Sequence, residues 1–218
     1  EYSSKLIANP ASGGYGRILS DSNGNTYVIH RYNDSLIVDD VTILTDNRTC
    51  PNNPIVPFIY KMNSLNQIEW AHSIIGGYEP DSNCDNAHTI TVWLDSDENL
   101  IVHNEFRGNI TLGNITLTNQ NPDYADIYYA KLTQNGTWAW AISMGGEGDD
   151  LGHLDEDFIA NNRIGISIRT SQSSYMQIGS TNHTVEDIEG NTKFIGYLVD
   201  EDRDDDNDGV YDTDDLCP

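Results

Sequence analysis

Positive charge is scarce in this chain. Eleven Lys and Arg stand against 35 Asp and Glu in 218 residues, a formal net charge of −24. Proteins bind nucleic acid by neutralising its phosphates with Lys and Arg, so that partner class is disfavoured. An anionic membrane surface is disfavoured for the same reason, and cations are the natural partners. Long apolar runs are missing as well. No stretch of about 18 apolar residues occurs, so no membrane span is expected in this piece. Apolar residues make up 37% of the chain, which points to a lean core. Helical periodicity is nearly absent, with few apolar residues recurring at i, i+3, i+4 and i+7. The sequence also lacks Gly-x-Ser-x-Gly, His-Glu-x-x-His and a phosphate-cradling Gly-Lys-Ser/Thr loop. Cysteines are few and odd in number: Cys50, Cys84 and Cys217. Cys50 and Cys84 are candidates to pair, three free thiols being the alternative.

What is present reads as all-β. Short apolar alternations such as Thr26-Tyr27-Val28-Ile29, Leu100-Ile101-Val102 and Ile164-Gly165-Ile166-Ser167-Ile168 are bounded by turn pairs such as Asn23-Gly24 and Asn135-Gly136. The length suits one large domain or two small ones. Internal repetition organises it further. Phe58-Ile59-Tyr60-Lys61-Met62, Glu69-Trp70-Ala71 and Gly76-Gly77 return as Tyr128-Tyr129-Ala130-Lys131-Leu132, Ala139-Trp140-Ala141 and Gly145-Gly146. Lys61 to Lys131 and Trp70 to Trp140 are both 70 positions apart. A third, worn copy offers Ile164, Met176 and Phe194-Ile195-Gly196-Tyr197-Leu198-Val199. The units run over about 17–77, 88–146 and 152–199, inside a repeat region of residues 1–199, with an acidic segment at 200–218. Lys5-Leu6-Ile7-Ala8 looks like the last strand of a preceding copy, and the chain opens at Glu1 and stops inside the acidic motif. A piece of a longer protein is therefore expected.

The turn-strand pattern, Leu112-Gly113-Asn114-Ile115-Thr116-Leu117-Thr118, Asp126-Ile127-Tyr128-Tyr129-Ala130-Lys131-Leu132 and the Trp-Ala and Gly-Gly endings together resemble the seven-bladed β-propeller repeat of secreted and cell-surface microbial proteins. The resemblance is clearest over residues 92–146 and extends in weaker form over 17–199. It implies tandem four-stranded antiparallel units, about three blades of a partial propeller. Three units do not close a ring of four to eight blades, so further blades elsewhere, or a β-sandwich, are the alternatives. Thr49-Cys50-Pro51-Asn52-Asn53-Pro54 departs from the repeat as an insertion.

The acidic segment carries the sharpest motif. From Asp200 onward ten acids meet one base, Arg203, for a net −9. Asp204, Asp206 and Asp208 occupy positions 1, 3 and 5 of a loop, with Gly209 at 6, Val210 at 7, Asp212 at 9 and Asp215 at 12. Calcium takes six to eight oxygens, and alternate side chains of a tight loop converge on one centre. Asp204, Asp206, Asp208, the Val210 carbonyl, Asp212 and Asp215 are the candidate ligands, with a solvated acidic linker as the alternative. A strand-like left flank and the closing Cys217-Pro218 make the segment similar to a thrombospondin type 3 repeat rather than an EF-hand. That resemblance implies calcium as the bound ion and a partner for Cys217 in a following repeat.

Other candidates are weaker. His103 reads as a packed or rim histidine, with a metal ligand as the alternative. His153, Asp155 and Asp157, and the pairs Asp81/Asp85 and Asp149/Asp150, read as polar turns, with a second cation site as the alternative. Trp70 and Trp140 are expected in a packed core, Trp138 less clearly, with sugar stacking as the alternative. Sequons at Asn33, Asn47, Asn109, Asn114, Asn135 and Asn182 bear on glycosylation only in a glycosylating secretory host. The expected function is a non-catalytic, extracellular or cell-surface calcium-binding adhesion, binding or structural module. Its partners would be calcium ions, surface glycans or proteins, or copies of itself. A subunit of a surface layer or filament and a propeller-borne carbohydrate-active enzyme are the alternatives.

Overall fold

The computed structural model describes residues 7–10, 16–38, 41–45, 55–75, 90–119, 121, 123–152, 159–160, 163–171, 175–184 and 191–199. Among them there is no helix. The first sheet holds β1 (Ile7–Pro10), β2 (Arg17–Ser20), β3 (Thr26–Val38), β4 (Val41–Thr45), β5 (Val56–Met62) and β6 (Ile68–Ser73). Its path is β1-β3-β5-β6, with β2 and β4 also on β3. The long β3 serves two sets of neighbours, β2 and β5 along its first half and β1 and β4 mostly along its second.

The chain continues through β7 (Thr91–Leu94), β8 (Leu100–Phe106), the hairpin of β9 (Asn109–Leu112) and β10 (Ile115–Thr118), β11 (Asp126–Leu132) and β12 (Trp138–Gly145). Then come β13 (Asp150–Gly152), β14 (Ile159–Ala160), β15 (Arg163–Ser171), the hairpin of β16 (Tyr175–Ile178) and β17 (Thr181–Thr184), and β18 (Asn191–Val199). The second sheet runs β17-β16-β12-β11-β8-β7, and the third runs β13-β15-β14 with β18 on β15. All described pairings are antiparallel, and none of the sheets closes on itself. The hairpin β16–β17 belongs to the second sheet through Met144↔Ile178 and Gly145↔Gln177.

Two clusters join the sheets. Tyr27, Ile29 and Ile59 of the first sheet pack with Val92, Leu100, Val102, Tyr128 and other residues of the second. Ile101, Ile127, Tyr129 and Met144, on the opposite face of the second sheet, pack with Ile164, Ile166 and Ile168 of the third. The middle sheet is therefore covered on both faces. That is why β8 and β11 are buried almost end to end rather than on alternate residues. In the first sheet β5 is buried likewise, between the second sheet on one face and a cluster of Val28, Tyr32, Leu36 and Val38 on the other. Strands buried on both faces read as near-continuous apolar runs. Each large side chain removed from water there contributes about 1.5–3 kcal/mol.

The first two units share their local geometry. Lys61 lies opposite Trp70, and a bulge follows before Met62↔Ile68. Lys131 lies opposite Trp140, and a bulge follows before Leu132↔Trp138. The extra residue, Ala139, breaks the alternation. Trp138, two residues from Trp140, consequently points to the other face: Trp138 packs toward the first sheet and Trp140 toward the third.

The tight turns are also alike. Residues 21–25, 63–67, 95–99 and 133–137 each close with the first residue's N–H donating to the fifth residue's carbonyl and the fourth's to the first's. Each has its fourth residue at positive φ: Gly24, Asn66, Glu98 and Gly136. In three of them the leading Asp21, Asn63 or Asp95 also accepts, through Oδ1, the N–H groups two and four residues on. These side-chain bonds make a five-residue turn rigid.

Candidate functional site

Among the described residues a polar assembly joins the first two sheets: a seat on the first sheet for the turn that follows β11. Lys61 Nζ and Trp70 Nε1 both donate to the Gln134 carbonyl at 3.0 Å. His72 Nε2 bonds the Gly136 carbonyl at 2.8 Å. A Cβ at Gly136 would stand 2.7 Å from Trp70 Cγ, and φ there is 84°, so the turn needs glycine to lie on the indole. Gln134 ties the same turn to the 95–99 turn, with Nε2 donating to the Asp97 carbonyl at 2.8 Å. Ser22 N–H donates to Glu98 and links the 21–25 turn to the 95–99 turn.

Two buried lysines sit at matching places. Lys61 and Lys131 are each 6% exposed. Lys61 pairs with Glu69 at 2.9 Å, and Lys131 with Asp95 at 3.3 Å. Burial pushes the Asp95 carboxyl above its usual range and outweighs the Asn99 N–H and the Lys131 ammonium. At the matching place burial also presses Asp21 upward, but hydrogen bonds from Asn25, Tyr27 and Asn23 prevail and hold it below the usual range.

A cleft of about 300 Å³ opens between the β9–β10 hairpin and the β12–β16 edge. Asp126, Ser143, Gln177, Thr116 and Thr118 supply its polar lining. Asp126 is 4% exposed, and a Cβ at Gly145 would overlap its carboxylate, so glycine is required there. Gln177 donates through Nε2 to the Gly179 carbonyl at 2.9 Å, and its buried Oε1 accepts no hydrogen bond among the described residues. Next to the cleft, the fully buried Asp150 accepts the Gly146 N–H at 2.7 Å. The chemistry of this cleft suits hydrogen-bond donors, but its residues are spread over four strands and turns.

Asp149 accepts from Ala125 N–H at 3.0 Å and pairs with Arg107 at 3.4 Å. Asp149 and Asp150 thus hold turns together. His103, 1% exposed, lies between Trp93 and Tyr129, 4.6 Å from the latter ring, with Nδ1 on the Tyr128 carbonyl at 3.1 Å. Burial lowers its pKa to about 4, so it is a neutral core histidine. The seat formed by Lys61, Trp70 and His72 was not evident from the sequence. Its trace was the 70-residue spacing of Lys and Trp, which does not reveal that Trp70 faces the next unit.

The calcium-ligand candidates Asp204, Asp206, Asp208, Val210, Asp212 and Asp215 lie outside the described residues, as do Cys50, Cys84 and Cys217. So do Asp81, Asp85, His153, Asp155 and Asp157. Within the described residues no group of three or more His, Cys, Asp or Glu is placed to hold a metal ion. No helix among them is long and apolar enough to cross a membrane. Compared with protein-family models, curated proteins and solved structures, the chain matches none.

Proposed function

We propose that the chain is a non-catalytic extracellular or cell-surface module: blade-like β-units stacked in series, ending in an acidic calcium-binding segment of thrombospondin type 3 character. Its role is adhesion or scaffolding. The observation that carries the stacked-blade reading is the second sheet covered on both faces, with one sheet on each side. A two-sheet sandwich would bury only one face of each sheet. Sheets that meet through matching surfaces extend by adding like units, which suits a spacer or a platform for partners.

The calcium part of the reading is supported by the spacing of Asp204, Asp206, Asp208, Asp212 and Asp215 around Gly209. A bound cation would offset the net −9 of that segment and relieve its self-repulsion. The test is a calorimetric calcium titration of the full chain beside a double variant, Asp206→Asn with Asp208→Asn. Binding is expected at roughly 10⁻⁴–10⁻³ M in the native chain, as for extracellular modules, and should be lost in the variant. Equal heats in both chains would overturn it.

A second reading, a subunit of a surface layer or filament, has one observation in its favour. Among the described residues the short strand β2 pairs with β3 alone, and it carries Ile18 at 68% exposure. Such an edge can accept a strand from a neighbouring copy. Sedimentation that depends on protein concentration, abolished by Ile18→Lys, would favour that reading over the first.

A further inference from the structure

We propose that Asn23 is a site of spontaneous covalent modification, converting with time to aspartate and isoaspartate, and that Asn135 in the matching dipeptide is protected by its seat on the first sheet. The proposal goes beyond the functional reading and depends on neither calcium nor a partner.

Asn-Gly occurs twice in the sequence, at Asn23-Gly24 and Asn135-Gly136. A glycine after asparagine carries no Cβ to shield its backbone nitrogen. Once that nitrogen gives up its proton to hydroxide, it attacks the asparagine Cγ. A C–N bond closes a succinimide, and Nδ2 leaves as ammonia with a proton taken from water. Water then opens either carbonyl of the ring, giving aspartate or isoaspartate with a new carboxylate. Water is the only co-reactant.

Both asparagines are exposed, so access to water does not separate them. Both glycines have positive φ, and both close their turns through N–H, Gly24 onto the Asp21 carbonyl at 3.2 Å and Gly136 onto the Thr133 carbonyl at 2.9 Å. The asparagine side chains differ. Asn135 Oδ1 accepts the Thr133 hydroxyl and the Thr137 N–H. Among the described residues the Asn23 side chain makes no hydrogen bond. Room to move differs as well, because the peptide between asparagine and glycine must rotate before its nitrogen can reach Cγ. At Gly136 the Trp70 ring stands in the way, 2.7 Å from where a Cβ would be, and Lys61, Trp70 and His72 hold the carbonyls of Gln134 and Gly136. Around Gly24 a Cβ would meet nothing closer than 3.6 Å. The consequence is mechanical. Ser22, next to Asn23, donates its N–H to Glu98 and so links the 21–25 turn to the 95–99 turn. Isoaspartate at 23 lengthens the turn's backbone by one methylene and adds a carboxylate one residue from that link, whose acceptor is itself a carboxylate. The contact between the two turns weakens, while the Lys61–Trp70–His72 seat is untouched.

The test is peptide mapping by mass spectrometry of the full chain after incubation at mildly alkaline pH, with and without urea. In urea the two dipeptides should convert at similar rates. In the native chain Asn135 should lag Asn23 by about tenfold or more, since its turn must first leave the hydrogen bonds of the seat. Equal native rates, or a faster Asn135, would overturn the proposal. The same ratio with and without urea would overturn it too, because flanking sequence and not the fold would then set the rates. A second measurement is amide hydrogen exchange of the aged chain. Ser22 and Asn25 should exchange several-fold faster in the modified fraction, with Gly136 unchanged. Unaltered exchange at Ser22 and Asn25 would overturn the mechanical consequence.

Discussion

The first two units place a lysine at the same point of the same strand and neutralise it differently. Lys61 takes Glu69, whose side chain is 40% exposed, whereas Lys131 takes Asp95, whose side chain is 9% exposed. The turn that leads each unit begins with an aspartate, so Asp21 stands where Asp95 does. What differs is the cross-strand neighbour of the lysine, Tyr27 in one unit and Ile101 in the other. The Tyr27 hydroxyl donates to Asp21 at 3.1 Å, and Lys61 sits 5.8 Å from the centre of the Tyr27 ring. Asp21 is thereby engaged, and the ammonium turns to Glu69. Ile101 has no hydroxyl to offer, and Asp95 accepts the ammonium instead. One side chain thus decides which carboxylate receives the ammonium. The two aspartates shift in opposite directions, Asp95 raised by burial and Asp21 lowered by its hydrogen bonds.

The largest effect that would sharpen this contrast comes from removing the ammonium. Lys131→Met leaves Asp95 buried beside no cation and should cost about 3–5 kcal/mol of stability near pH 7. Lys61→Met should cost about 1–2 kcal/mol, because Glu69 can turn to water and one carbonyl bond is lost. Urea unfolding midpoints measure both, and equal losses would break the comparison. The Lys131→Met deficit should shrink in acid, where the buried Asp95 can take up a proton.

Next in size is an acid sensitivity built into one unit only. His103 stands where the first unit has Ile29. Its folded pKa of about 4 lies below the ordinary 6.5, so the unfolded chain takes the proton first. Its contribution is intact above about pH 6.5 and is lost progressively toward pH 4, by roughly 3 kcal/mol in all. Asp95, with its pKa raised, acts in the opposite sense at lower pH. Unfolding free energy measured between pH 7 and 4 should flatten in His103→Ile, and an unchanged slope would show that other groups carry it.

Smaller still is the contrast between two turn glycines. Gly24 and Gly136 both have positive φ, but a Cβ at Gly24 would meet nothing closer than 3.6 Å, while one at Gly136 strikes the Trp70 ring. Gly24→Ala should cost about 1 kcal/mol from backbone strain alone. Gly136→Ala should cost about 2 kcal/mol or more, and thermal unfolding separates the two. The smallest expected effect is that of Tyr27→Phe, about 1 kcal/mol for one hydrogen bond. Carboxyl titration by NMR should then show Asp21 moving up toward its ordinary value.

Part of the fold was legible in the residues. Asn23-Gly24 and Asn135-Gly136 announce turns because glycine reaches positive φ without strain. Asn66 and Glu98 occupy the same conformation without that signal, and their turns are held by Asn63 and Asp95 side-chain bonds instead. Of the two structural places expected for His103, packed or at a rim, its 1% exposure gives the packed one. Strand alternation, by contrast, places Trp138 and Trp140 on one face, and only the bulge at Ala139 separates them. A single inserted residue leaves no compositional mark, because its effect is geometric.

By itself the sequence determined the all-β class, the places of most turns and the recurrence of lysine and tryptophan. These depend on local periods, on backbone freedom and on the spacing of side chains along the chain. Tertiary structure decided which face of each strand meets which neighbour, which aspartate receives a buried ammonium, and that β16–β17 joins the sheet of β12. Those outcomes depend on contacts between residues tens of positions apart. A low-dielectric interior and a close-packed interface assign them only once the sheets have stacked.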